Sequence, residues 1–415
     1  MYPSSMAIPY TKVEGFSEAR RKELLPNMVD AIAATQPEAI FAEYPINPTS
    51  YNSGYQKFSY GTSTNAINGI AWWLQEKLGT GKDFPALAYI APNDILINAF
   101  LLGAVKAGYK ACKPDSHANP SYITAKQHSC TGKSFAFAKC KILVTTSPKP
   151  AQLQPMITAL SFMEIQVLEL PDILELTEKS HEHFPFEKTF AAARNEPFAV
   201  MHTSGTTELP KPIFWNHNYY ATSILLPEPP AGYINQASLY AVYKCIQVYR
   251  LMILSYLLFR IDGLKHNKTD IAVLVPPYVI DIAQSSESLD FIDANLKRIF
   301  YMGGAIPPTA GNVISSKIEL DDHVGATETE FYPSLKPIGS RSVFWSYHRF
   351  GPSANISFEH PADDLYEAVW KQESRPRKGA TRLQDISLTP DMEIKESLLD
   401  TLNRARFLAL PWPGR

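Results

Sequence analysis

The chain has 415 residues, of which 45% are hydrophobic and 19% charged. That is too long for one small core, so two or three subdomains are expected. A formal net charge of −2 supplies no bulk attraction to polyanions, so neither a nucleic-acid nor a membrane partner is expected.

The first residues, Met1-Tyr2-Pro3-Ser4-Ser5, lack a basic stretch followed by an apolar core. No signal peptide is therefore read, and a cytoplasmic location with reduced thiols is the default. The 33 prolines lie mostly in connections and point to many short elements. Cys112, His117, His128, Cys130 and Cys140 are close in sequence, but their gaps match no zinc template, and Cys245 stands apart.

An early helix is expected within residues 17–34 and an extended piece over 39–45. Over residues 60–78 the apolar positions Ile67, Ile70, Ala71, Leu74 and Leu78 recur at helical spacing, with Thr62, Ser63 or Thr64 as cap. Trp72 and Trp73 read as packing residues of that helix. Residues 85–90 are an apolar strand, 95–107 a helix, and Gly108 its terminating residue. This strand–turn–helix–glycine unit announces a parallel sheet. Further strands are expected at 109–114, 140–145 and 165–170, with a helix at 120–128. The charged residues 171–195 read as a surface connection.

Pro197-Phe198-Ala199-Val200-Met201 reads as a buried strand. It runs into His202 and then Thr203-Ser204-Gly205-Thr206-Thr207-Glu208-Leu209-Pro210-Lys211. Hydroxyls, glycine and a closing lysine at this density suit an oligo-anion such as a nucleotide phosphate, and a plain polar turn is the alternative. Pro210 stands where a Walker A loop needs glycine, and the spacing from Gly205 to Lys211 is wrong for that motif.

Residues 239–259 form a mostly apolar and aromatic run interrupted by Arg250. Its most apolar part, 246–259, is too short and too charged to span a bilayer comfortably, and a buried helix is expected. Strands follow at 270–275 and 296–301, with Pro276-Pro277-Tyr278 as a turn into 279–284. The second strand opens into Gly303-Gly304-Ala305, where bare backbone lets a flat ring approach. Gly325-Ala326-Thr327-Glu328-Thr329 comes about twenty residues later. A hydroxyl and a hard carboxylate side by side suit a phosphate and its metal ion, although a lone Thr-Glu pair is usually a solvated turn.

Taken together, these segments resemble the adenylate-forming superfamily, which includes acyl-CoA ligases and the adenylation domains of nonribosomal peptide synthetases. Residues 203–211 are similar to its phosphate loop, Thr-Ser-Gly-(Ser/Thr)-(Ser/Thr)-Gly-x-Pro-Lys, except that Glu208 replaces a glycine. Residues 325–329 resemble its Gly-Ala-Thr-Glu-Thr motif. Residues 89–94 with 104–110 look like the second core motif of fungal NRPS-like proteins. Ser346-Tyr347-His348-Arg349-Phe350 and the strand at 365–370 are similar to the strands that continue the domain of those proteins after the Gly-Ala-Thr-Glu-Thr motif.

The resemblance implies an α/β fold, the large N-terminal body of the adenylate-forming enzymes with parallel sheets flanked by helices. It implies ATP- and Mg²⁺-dependent activation of a small carboxylic acid (aryl, keto or amino) in secondary metabolism, with a carrier protein acting in trans as a possible partner. Thr203, Ser204, Gly205, Thr206, Thr207 and Lys211 would hold phosphates. Thr327 would touch the α-phosphate and Glu328 the metal. Gly303, Gly304, Ala305, Gly325 and Ala326 would line the nucleotide. His202 and His217 are pocket candidates or packed residues.

The resemblance covers residues 15–370 and is interrupted at 219–262, where the pocket is rebuilt, non-coding sequence is translated, or a plain buried helix stands. Residues 371–415 read as a non-matching tail with an amphipathic helix at 392–408. The Thr-Gly-Asp segment and the small lid of the family are not found there, so a truncated body is expected. A remnant that binds nucleotide or a partner without turnover is the alternative reading.

Overall fold

The computed structural model describes residues 23–370, apart from 48–49, 92–94, 113–138, 152, 163, 203–211, 223–232, 236–260, 267–270, 324, 327–329, 332–333, 338–344, 347–348, 351–355 and 363–364. The expected helices at 120–128 and 392–408 and the apolar run at 239–259 lie outside the described residues.

The chain enters through the helix Leu25–Thr35 and the antiparallel hairpin β1 (Ile40–Asn47) and β2 (Ser50–Ser59). The helix Tyr60–Leu78 follows at the expected bounds. Its cap is Ser59, three positions before the nearest expected candidate, and its hydroxyl accepts a hydrogen bond from the Thr62 N–H. The strand β2 was not legible, because Ser50–Ser59 is polar and contains Gly54.

A six-stranded sheet forms next. Its strands are β3 (Ala86–Ile90), β4 (Lys110–Cys112), β5 (Ile142–Thr145), β6 (Gln166–Glu169), β7 (Pro197–His202) and β8 (Pro212–Asn216). They lie in the order β6-β5-β3-β4-β7-β8, and only β8 is antiparallel to its neighbour. The alternation of buried apolar strands and helices read from the sequence therefore builds a parallel sheet.

Helix Leu96–Lys106 crosses Tyr60–Leu78 at close range. A Cβ on Gly103 would meet Ile70 Cγ2 at 2.8 Å and Ile67 O at 3.0 Å. Lys106 enters that contact with its side chain fully buried, 2.8 Å from the Asp30 carboxylate and 2.9 Å from Asn68 Oδ1. Burial pushes its ammonium below the usual lysine range, and Asp30 opposes the shift.

The connection at 171–195 departs from expectation. It contains the helices Ile173–Glu178 and Phe190–Ala193, and it buries Leu176 and Phe184. Asn65 Nδ2 donates to Leu176 O and Lys179 O, and Asn68 Oδ1 accepts from Phe184 N. Trp72 Nε1 donates to Glu182 O, and its ring packs on Phe184 at 4.6 Å. Side-chain amides of the helix thus take the place of a strand ladder, which a charge count along 171–195 cannot reveal.

The second body is a three-stranded parallel sheet of β10 (Ile271–Leu274), β11 (Arg298–Met302) and β12 (Glu319–His323), reached after the short strand β9 (Tyr233–Asn235). Helices Pro276–Gln284, Ser286–Asn295 and Pro308–Lys317 connect its strands. The first starts at Pro276 rather than after a turn, because proline suits the first helical position. Hairpins β13 (Gly325–Ala326) with β14 (Glu330–Phe331), β15 (Ser334–Pro337) with β16 (Arg349–Phe350), and β17 (Ile356–Ala362) with β18 (Leu365–Trp370) follow. β15 also pairs with β9.

At the end of β5 the Thr145 hydroxyl is wholly buried, with no hydrogen-bond partner among the described residues. Thr145→Val removes that desolvated group and keeps the branched shape. Unfolding in urea is expected to show the variant about 1 kcal/mol more stable than the wild type.

Candidate functional site

Parallel strands send their carboxyl ends to one edge of a sheet, where ligands of α/β proteins gather. In the six-stranded sheet that edge receives the end of β7. β8 returns antiparallel beside it, and the pair His202 and Pro212 closes the hairpin around residues 203–211. Thr203, Ser204, Gly205, Thr206, Thr207 and Lys211 lie outside the described residues. The strand pair that frames them is a feature the sequence left unread.

His217 follows β8 at the other end of the same hairpin, where Pro197 pairs with Asn216. Five strand residues separate that end from His202, about 16 Å. His217 is buried, its ring edge-on to Phe198 at 5.3 Å. Desolvation, aided by the Lys188 charge, lowers its pKa to about 4. The structure thus places it as a packed neutral histidine at the amino end of β7, away from the 203–211 loop.

The three-stranded sheet offers a second edge. Met302 at the end of β11 pairs with His323 at the end of β12. β11 opens directly into Gly303 at φ +97° and Gly304 at φ +158°. These are backbone conformations that side chains rarely adopt. A Cβ on Gly303 would meet nothing within 4 Å, and one on Gly304 would meet only Pro276 Cγ at 3.7 Å. Gly303, Gly304 and Ala305 are exposed. Gly303 and Gly304 form an open ledge of bare backbone.

After β12 the chain makes the tight β13–β14 hairpin. Ala326 pairs with Glu330, which closes it around residues 327–329. Thr327 and Glu328 lie outside the described residues. Gly325 is exposed at the start of the hairpin. The structure thus brings Gly303–Gly304 and Gly325–Ala326 to adjacent strand ends. The 203–211 loop belongs to the other sheet, and among the described residues no strand pairing joins the two.

Two polar features of the second sheet were not legible. Arg298 on β11 and Asp321 on β12 form a buried ion pair, and the Arg298 guanidinium also lies over the Phe300 ring at 5.6 Å. Trp345 packs into helix Pro308–Lys317, with its Nε1 donating to Asn312 Oδ1 at 2.9 Å. Neither pairing leaves a local pattern, since the partners are 23 and 33 residues apart.

Cys112 and Cys140 are buried free thiols, and burial raises both, Cys140 to about 11. Cys112 lies on β4 level with Ala88, whereas Cys140 precedes β5 on the other side of β3 and its thiol donates to the Ala86 carbonyl. Among the described residues no group of three His, Cys, Asp or Glu side chains is placed to hold a metal. Among them also, no helix is long and apolar enough to cross a membrane.

Two α/β bodies with parallel sheets and loops at their carboxyl edges define a class, the large N-terminal body of the adenylate-forming enzymes. The chain belongs to the AMP-binding enzyme family, whose profile matches residues 29–332. It is 27% identical over 382 residues to the isocyanide synthase–NRPS hybrid crmA of Aspergillus fumigatus, covering 83% of this chain and 24% of that protein. It is 23% identical over 385 residues to a carboxylic acid reductase of Neurospora crassa, covering 84% of this chain and 35% of that protein. The chain therefore spans about a quarter to a third of these relatives.

Among solved structures, the N-terminal domain of FACL13 from Mycobacterium tuberculosis matches with a TM-score of 0.57 and 16% identity, covering 76% of this chain and 79% of that one. VinN matches with a TM-score of 0.55 and 13% identity, covering 85% and 86%. At such identities the likeness speaks for the fold.

Proposed function

We propose that the protein activates a carboxylic acid with ATP, giving an acyl-adenylate and pyrophosphate. The observation that carries this reading is the pairing of Met302 with His323. It sets the Gly303–Gly304 ledge beside the hairpin that bears Thr327 and Glu328, in a chain of the AMP-binding enzyme family. In the reaction the acid's carboxylate oxygen bonds to the α-phosphorus while the bond to the bridging β-phosphate oxygen breaks.

In this reading Gly303, Gly304 and Ala305 receive adenine, with Gly325 and Ala326 beside them. Thr203, Ser204, Gly205, Thr206, Thr207 and Lys211 hold the β- and γ-phosphates, and Thr327 donates to the α-phosphate. Glu328 supplies the hard oxygen ligand for Mg²⁺, which neutralises phosphate charge when bound. Lys211 adds a positive charge where charge develops. The adenylation core is 15–370, with 371–415 apart from it.

The names of the relatives, a carboxylic acid reductase and a hybrid with a nonribosomal peptide synthetase, support a carboxylic acid substrate. A cytoplasmic setting and a carrier protein acting in trans are part of the same proposal. ATP–pyrophosphate exchange with a panel of aryl, keto and amino acids tests it. Exchange with at least one acid is expected. A protein that neither exchanges with any acid nor binds MgATP would overturn the reading.

Glu208 favours a second reading, a nucleotide-binding protein without turnover, because it sets a negative charge in the phosphate loop. ATP protection against heat without exchange would mark that case. The Glu208→Gly variant removes a like charge, worth about 1 kcal/mol at 4 Å in water, and restores backbone freedom. ATP affinity is expected to rise roughly tenfold, measured by calorimetric titration. Unchanged or weaker binding would count against placing phosphate at this loop.

A further inference from the structure

We infer that the β1–β2 hairpin is a clasp between the two α/β bodies, closed by the Tyr55 phenol on the Gly263 backbone, and that it makes the second body open together with the first. Tyr55 Oη donates to Gly263 O at 2.9 Å, across 208 positions of sequence. The hairpin belongs to the first body. Phe41, Ala42 and Phe58 of its strands are buried in the apolar cluster of Ile67, Leu87 and Phe100. The short helix Ile261–Lys265 belongs to the second body. Its Leu264 is 4% exposed and sits in the cluster of Leu274, Ile299 and Leu320. Its Lys265 reaches Glu287 of helix Ser286–Asn295 at 2.8 Å.

The seat is shaped for a phenol. A helix leaves its last four carbonyls without an intrahelical partner, and Gly263 stands in the last turn of this one. Tyr55 satisfies its carbonyl. A Cβ on Gly263 would lie 3.2 Å from Tyr55 Oη and 3.3 Å from Tyr51 Cζ, so glycine lets both rings close on the helix. Those rings are stacked, with 6.1 Å between centres and 14° between planes. Burial first, then Tyr51 and Glu43, raises the Tyr55 phenol from 10.0 to about 12. It therefore remains a donor throughout the neutral range.

The two bodies are unequal. Among the described residues the first has a six-stranded sheet and the second a three-stranded parallel one. Three strands are near the lower limit for independent stability, so the second body opens first once the joint is lost. With the clasp closed, that opening must also break a contact of the first body. A hairpin near the start of the chain thereby secures the body that carries Gly303 and Gly304, and this role is independent of turnover.

Native-state hydrogen exchange of the full chain, read by mass spectrometry at rising urea, tests the clasp in wild type, Tyr55→Phe and Gly263→Ala. Peptides from β3, β5 and helix Leu96–Lys106 report on the first body, and peptides from β10, β11 and β12 on the second. In wild type both sets are expected to reach one common opening. Tyr55→Phe deletes only the hydroxyl and keeps the ring on Tyr51. Second-body amides are then expected to exchange about 2- to 10-fold faster, the loss of one hydrogen bond, while first-body amides keep their wild-type rates.

Gly263→Ala separates the clasp from local helix strength. Alanine alone favours a helix over glycine, which would slow exchange in the second body. Its methyl displaces the two phenols, so the clasp predicts the same selective acceleration as in Tyr55→Phe. Equal acceleration of both bodies would overturn the inference, because the hydroxyl would then be an ordinary contact within one cooperative unit. Wild-type rates in both variants would overturn it too, since water would be replacing the phenol. So would two separate openings already present in wild type.

Discussion

Replacing Asp321 with alanine is expected to destabilise the protein by about 3–5 kcal/mol, because it strands the Arg298 guanidinium in the interior. Asp321 is fully buried, and the Arg298 side chain is 10% exposed. The two residues sit on adjacent parallel strands, with Asp321 paired to Phe300 and Arg298 paired to Glu319. They therefore share one face of the sheet and meet on the diagonal. Phe300 and His323 fill the same face, their rings edge to face at 4.5 Å.

The opposite face carries Ile299, Tyr301 and Leu320 into an apolar cluster with Ile314 and Trp345. With both faces buried, water has little access to a lone guanidinium. The double variant Arg298→Met with Asp321→Leu removes both charges and is expected to lie within about 1–2 kcal/mol of wild type. Urea unfolding of the two singles and the double checks this. Additive losses would show that the pair does not interact, and a single-variant loss below about 1 kcal/mol would show that solvent reaches the site.

The same pair explains why part of the fold was hidden in the sequence. Strands β3, β5, β10 and β11 are legible because buried parallel strands need apolar side chains on both faces. The strand β12 reads Glu319-Leu320-Asp321-Asp322-His323, the composition of a loop. It is a strand because Arg298 supplies the countercharge for Asp321. Helix Pro308–Lys317 was equally obscure, since Gly311 and two serines blur its period. Gly311 is explained only by the indole of Trp345 that occupies its place.

The candidate site divides along the same line. Its Gly-Gly turn was legible because consecutive glycines after a strand are a local signal, and both take positive φ. The hairpin frames around 203–211 and 327–329 were not legible. Their pairing partners, His202 with Pro212 and Ala326 with Glu330, are set by strand return rather than by composition. The assignment of His217 to either a pocket or a core also needed the register, because one residue type serves both.

That register leads to a pH effect of similar size. His217 has its pKa lowered from 6.5 to about 4, first by desolvation and then by Lys188. The protein therefore folds with this imidazole neutral. Below pH 6.5 the unfolded chain binds a proton that the folded chain refuses, so stability falls as pH falls, down to about pH 4. At about 1.4 kcal/mol per unit the loss across that window is about 3 kcal/mol. The stability is fully present above pH 6.5.

Lys188 is itself held 2.6 Å from Glu196, whose carbonyl accepts the His217 backbone N–H. His217→Leu has nearly the same volume and cannot titrate. Its stability is expected to decline less steeply than wild type between pH 6 and pH 4.5, by up to about 1.4 kcal/mol per pH unit. Denaturant midpoints across that range for both proteins measure the difference. Parallel declines would mean that His217 is hydrated in solution, and the packing against Phe198 that excludes it from the nucleotide site would have to be abandoned.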